Sequence, residues 1–167
     1  MSVIDELFTN NQTYVAQHGH RELPTAPQLR LAVLTCMDSR LDIFGALGLN
    51  LGEAHIIRNA GGLASDDAVR SLLLSQRLLG TQSVMVIHHT RCGLETFDEA
   101  TMLHELETTI GIRPTFRLGA YDDVDLDVRT TVGTLRASPF VDGTEVRGFV
   151  FDVDNGDLRE VLDTQEL

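Results

Sequence analysis

The chain contains no lysine: all 13 cations other than histidine are arginine, against 25 acids, for a net charge of −12. That balance excludes binding along a phosphate backbone, which depends on clustered cations. The acids read as a solvated surface. No window approaches the ~20 apolar residues a membrane helix needs. The first residues, MSVIDELFTN, lack a basic start and carry acids where a signal core would be. They therefore read as no secretory leader, and cytoplasm is the expected compartment. Two cysteines, Cys36 and Cys92, are too few for a disulfide framework. In a reducing compartment a thiol near a histidine points instead to metal or catalysis.

What is present suffices for one domain with a sizeable core: 167 residues, 43% of them apolar. Val3, Ile4, Leu7, Phe8 and Val15 recur at helical spacing and predict a helix over residues 2–17, with Ser2 as its cap. HGHRELPTAP then reads as a linker. Short apolar runs follow at Leu31–Thr35, His55–Arg58, Val84–His88 and Gly148–Val153. Helical patterns lie between them. LDIFGALGL closes at Gly48 or Gly52. Ser65 caps a helix that stops at Gly80, with Val69, Leu72, Leu73 and Leu79 as its buried face. DEATMLHELETTIG ends at Gly111. DDVDLDVRTTVGTLRAS ends before Pro139. Its aspartates at 122–127 read as a helix start, since calcium-loop spacing is absent. Asn155–Gly156 signals a tight turn into an antiparallel edge strand at Leu158–Leu162.

Four apolar strands alternating with helices predict an α/β fold: a mainly parallel four-stranded sheet with flanking helices and an N-terminal helical arm. Residues 1–27 form the arm and linker, and residues 28–167 the core. Right-handed crossovers put the C-terminal ends of parallel strands on one rim, where α/β sites form. Cys36, Asn59 and His89 each follow a strand. The fold therefore gathers Cys36, His89 and Cys92.

Two thiolates and an imidazole are a zinc set. Two cysteines exclude both a four-thiolate site and a site of three thiolates and one imidazole within one subunit. A fourth position left to water is the mark of a catalytic zinc, whose water ionises near neutral pH. Asp38 can orient that hydroxide or become the fourth ligand itself. Arg40 can hold Asp38 off the metal by a forked pair. Gly61 and Gly62 permit close backbone approach, with N–H groups free to face an anion. Taken singly these signals are weak: a lone Cys36 reads as a small buried apolar residue, His88 as a core histidine, and His18 and His20 as solvated linker residues.

Together, CMDSR, RNAGG and HHTRCG, in this order and at these separations, resemble the β-class carbonic anhydrases, closest to their short branch of roughly 160 to 170 residues. SLLLSQRLLGT, GIRPT, SPF and RGFVFDV extend the likeness over most of the chain from about residue 28. The resemblance implies zinc held by Cys36, His89 and Cys92, and Asp38 and Arg40 as a catalytic dyad. It implies attack of zinc hydroxide on carbon dioxide, giving bicarbonate, with Gly61 and Gly62 lining the substrate pocket. It implies a homodimer or dimer of dimers whose N-terminal helix embraces the partner, and an inactive closed state in which Asp38 ligates zinc. Arg91 stands where some relatives carry an acid, and is expected to point to solvent. With no tryptophan, the tryptophan-dependent bicarbonate inhibition site of some relatives is excluded in that form. Two rival functions keep every motif: a carbon disulfide or carbonyl sulfide hydrolase, and a non-catalytic zinc protein closed by Asp38.

Overall fold

The computed structural model describes residues 2–18, 22–142 and 145–162. Part of the linker, His20 included, lies outside the described residues. Among the described residues, five α-helices, α1 (Val3–His18), α2 (Ile43–Leu47), α3 (Asp66–Leu79), α4 (Glu99–Ile110) and α5 (Val124–Ala137), accompany five strands. The strands are β1 (Leu31–Cys36), β2 (Ala54–Asn59), β3 (Ser83–His89), β4 (Glu145–Phe151) and β5 (Leu158–Val161). They form one sheet in the order β2-β1-β3-β4-β5. The first four are parallel, and β5 pairs antiparallel with β4, as the turn signal predicts.

The helices start and stop where their capping chemistry lies. Ser65 accepts from the Ala68 N–H at the start of α3, and Gly80 closes it in the left-handed region. Asp98 caps α4, and Asp123 caps α5, which accounts for the aspartate run there. Gly48, not Gly52, ends α2. The α3 face turned inward is Ala68, Leu72 and Ser75, one helical stripe. Val69, Leu73 and Leu79 are only half-buried, so the expected face is rotated toward the small residues. β4 begins at Glu145, earlier than its apolar run, because Glu145 pairs with Ser83 in the register set by β3.

The sheet is covered on both faces. One layer packs Leu34, Val84, Val86, Val146 and Val150 against Leu72, Val128, Val132 and Leu135 of α3 and α5. Gly148 allows that approach: a Cβ there would fall 2.3 Å from Val128 Cγ1. The other layer joins Val33, Cys36, Ile87, Cys92 and Phe151 to Leu41 and Ile43 beside α2. Strand alternation therefore sends His89 into the second layer and His88 into the first. α1 buries none of its residues: Val3, Ile4, Leu7, Phe8 and Val15 are all exposed.

Candidate metal centre

Cys36 ends β1 and His89 ends β3, and these strands are hydrogen-bonded neighbours at the middle of the sheet. Cys92 lies one tight turn beyond His89. The turn passes through Arg91, a non-glycine residue at φ 54°, and leads into a short 3-10 turn at Gly93–Glu95. The two sulfurs and a ring nitrogen of His89 lie within 4.8 Å of one another, and all three side chains are buried. His89 Nδ1–H donates to the Thr90 carbonyl at 2.9 Å. That fixes the tautomer and leaves the Nε2 lone pair free. Nε2 is buried without a hydrogen-bond partner. An orphaned imidazole nitrogen facing two buried thiols is a donor set that fits a soft or borderline dication.

Backbone N–H groups support the sulfurs. Those of Asp38 and Gly61 point at Cys36, and that of Leu94 at Cys92. A hydrogen bond from the Cys92 thiol pulls Cys36 down to about 6 against the opposing effect of burial. Sharing in that bond, and burial, push Cys92 up to about 11. Burial opposes charge on His89, yet the adjoining Cys92, the Thr90 carbonyl and Asp38 together raise its pKa.

Asp38 stands at the rim of this space, with Oδ2 3.8 Å from His89 Nε2. Arg40 forks onto it: Nε to Oδ1 at 2.9 Å and Nη2 to Oδ2 at 2.7 Å. Those bonds hold the Asp38 carboxyl well below the usual carboxylate range, opposed by partial burial and aided by the Arg40 backbone N–H and by His89. Arg40 Nη2 also donates to the Arg91 carbonyl at 3.0 Å. The strained Arg91 backbone thus steadies the dyad, while its side chain reaches the surface and pairs with Asp154.

Gly61 and Gly62, at φ 80° and 74°, form the turn packed behind Cys36. A Cβ on Gly62 would lie 3.0 Å from Cys36 N and from Thr35 C. Asn59 braces the turn by exchanging hydrogen bonds with both backbone groups of Leu63. His88 Nε2–H donates to the Gly62 carbonyl, and its Nδ1 lies 3.1 Å from Asp127 Oδ2.

Two residues escape a reading of the sequence. Arg58 donates to the carbonyls of Cys36, Leu41 and Asp38, at 2.9, 3.3 and 2.6 Å, and so clamps the loop that carries the dyad. Its one signal is an arginine ending an otherwise apolar strand. Tyr121 comes from an irregular connection and packs against the layer containing Cys36 and Cys92.

Comparison with known proteins identifies the family. The family described as Carbonic anhydrase matches residues 31–110. "Beta-carbonic anhydrase 1" of Mycobacterium tuberculosis is 44% identical over 96% of this chain and 99% of its own length. The chain belongs to the β-carbonic anhydrase family. A solved carbonic anhydrase of this fold from Streptococcus mutans superposes with a TM-score of 0.91 at 41% identity, covering 97% of this chain and 99% of the other. A carbon disulfide hydrolase from Acidithiobacillus thiooxidans is also similar, at 32% identity over 95% of this chain and 90% of its own.

Proposed function

We propose that this β-carbonic anhydrase is a zinc lyase interconverting carbon dioxide and bicarbonate, with Cys36, His89 and Cys92 holding the zinc. The observation that carries the reading is the free, buried Nε2 of His89, set between two buried thiols with a restrained carboxylate 3.8 Å away. Three protein donors leave a fourth position, and zinc there supplies a water that ionises near neutral pH. Every other part falls to the chain itself. Asp38, kept charged and off the metal by Arg40, accepts a hydrogen bond from whatever occupies the fourth position and orients it. The Arg58 clamp holds the Asp38 loop in place. The Gly61–Gly62 turn, packed against Cys36, walls the space where carbon dioxide sits.

The exposed apolar stripe of α1 supports a homodimer or a dimer of dimers, in which the helix packs on the partner. Cytoplasm suits two free, buried thiols. No described helix is long and apolar enough to cross a membrane. The relatives named for carbon disulfide hydrolysis have the lower identity, which favours carbon dioxide as substrate. Stopped-flow hydration of carbon dioxide on zinc-loaded protein, with carbon disulfide and carbonyl sulfide in parallel, tests the reading. Hydration that rises toward alkaline pH is expected. Its absence at every pH, with zinc fully bound, would sink the proposal. Turnover of the sulfur substrates alone would hand the function to the hydrolase reading.

A further inference from the structure

Four buried side-chain atoms of the described residues lack a hydrogen-bond partner: His88 Nδ1, Asp127 Oδ2, His89 Nε2 and the Tyr121 hydroxyl. The first two face each other at 3.1 Å. His89 Nε2 belongs to the metal centre. Tyr121 is left without an explanation. A phenylalanine would fill the same place with no polar atom to bury, so a buried hydroxyl there calls for a partner.

That partner is at hand. Tyr121 packs against the layer that holds Cys36 and Cys92, with its hydroxyl buried there and without a partner, and after burial the Cys92 thiol is the group that bears most on that hydroxyl. A protonated thiol is a weak acceptor, whereas a thiolate is a strong one. A cysteine that ligates a metal does so as a thiolate, the strong acceptor that the buried hydroxyl lacks. The approach is held in place by the backbone. The Tyr121 N–H donates to the Leu94 carbonyl at 3.2 Å, tying it to the turn that follows Cys92. The Glu99 carboxylate accepts the N–H groups of Leu118, Gly119 and Ala120, at 3.0, 3.1 and 3.0 Å, and fixes the segment leading into Tyr121. Leu94 itself turns its own N–H to the Cys92 sulfur. Tyr121 and Leu94 thus approach the same sulfur from one locked unit.

We infer that Tyr121 is a positioning residue for the metal ligand Cys92: its hydroxyl donates a hydrogen bond to the metal-bound thiolate and sets how tightly, and with what sulfur donor strength, the metal is held. The inference rests on the metal centre proposed above. A hydrogen bond to a thiolate withdraws electron density from sulfur, and losing such an outer partner typically weakens metal binding about 10- to 100-fold.

The test compares the full chain with Tyr121→Phe in two ways. Zinc affinity is measured by competition with a chromogenic chelator, and the sulfur-to-cobalt charge-transfer band is recorded on cobalt(II)-substituted protein. Tyr121→Phe is expected to bind zinc about 10-fold more weakly. Its charge-transfer band is expected to move to longer wavelength, because the unbonded sulfur gives up electrons more easily. A tyrosine that merely packs would leave the band where it is. Equal affinities and superimposable bands, with one metal per chain in both proteins, overturn the role of Tyr121 and leave the metal centre standing. A wild-type chain that binds neither metal overturns the centre and the inference with it.

Discussion

Gly62 and Gly80 share a φ of 74° but differ in what surrounds them. A Cβ on Gly80 meets nothing within 4 Å. On Gly62 it meets Cys36 N at 3.0 Å, Thr35 C at 3.0 Å and Thr35 Cα at 3.1 Å, all of them backbone. Alanine at either position incurs the left-handed penalty, roughly 1–2 kcal/mol. Alanine at Gly62 alone also drives a methyl into a central strand that cannot swing aside, adding about 1–3 kcal/mol. Gly80→Ala should therefore destabilise by about 1–2 kcal/mol and Gly62→Ala by about 2–5 kcal/mol. The excess is the steric term by itself, since the dihedral cost cancels. Denaturant unfolding at one fixed protein concentration measures both. Because the displaced atoms belong to Thr35 and Cys36, Gly62→Ala should also weaken zinc binding in chelator competition, and Gly80→Ala should not. Equal unfolding free energies for the two variants would refute the reasoning. So would unchanged zinc affinity in a destabilised Gly62→Ala.

Glu99 has its pKa lowered by the N–H groups of Leu118 and Ala120, with that of Gly119 adding to them against burial. Its stabilising effect is therefore full above its unfolded value of about 4.3 and is lost as pH falls through the lower native value. Glu99→Gln should melt earlier than wild type at neutral pH, with the gap closing in acid, as followed by circular dichroism. Cys92→Ala should lose zinc by metal analysis, whereas Asp38→Ala should keep zinc and lose most hydration activity in stopped flow. Arg91→Gly relieves a left-handed backbone while giving up an exposed ion pair, so stability should stay within about 1 kcal/mol. Its activity should stay intact, since the carbonyl that Arg40 uses is backbone; a large loss would show that the side chain participates.

The parts of this molecule legible in its sequence follow periodicity and capping. Unbroken apolar runs mark β1 and β3 as central parallel strands, and that placement alone brings Cys36 to His89. Ser65, Asp98 and Asp123 announce their helices because an N-cap acts within three residues. Burial along α3 is less legible, because Ala68 and Ser75 are small and the larger leucines sit at the margin. Arg58 and Tyr121 are opaque for a different reason. Arg58 reaches carbonyls 17 to 22 positions away, beyond any local pattern. Tyr121 lies in a segment without periodicity, whose path is set by one carboxylate about 20 residues earlier. Gly61 and Gly62 are visible as a turn, but that they brace Cys36 emerges only from their distance to β1.

The placement of Cys36 and Cys92 has a consequence for unfolding. They stand 56 positions apart in the chain yet end up side by side, one at the end of β1 and the other in the turn after β3. An ion held by both would tie the two ends of the segment that carries α2, β2, α3 and β3 together in the native fold. An ion held there would favour the native sheet by mass action, the more so the less the unfolded chain retains it. Stripping it away would loosen the middle of the sheet ahead of its edges, so the resting stability of the enzyme would track the supply of metal in its surroundings.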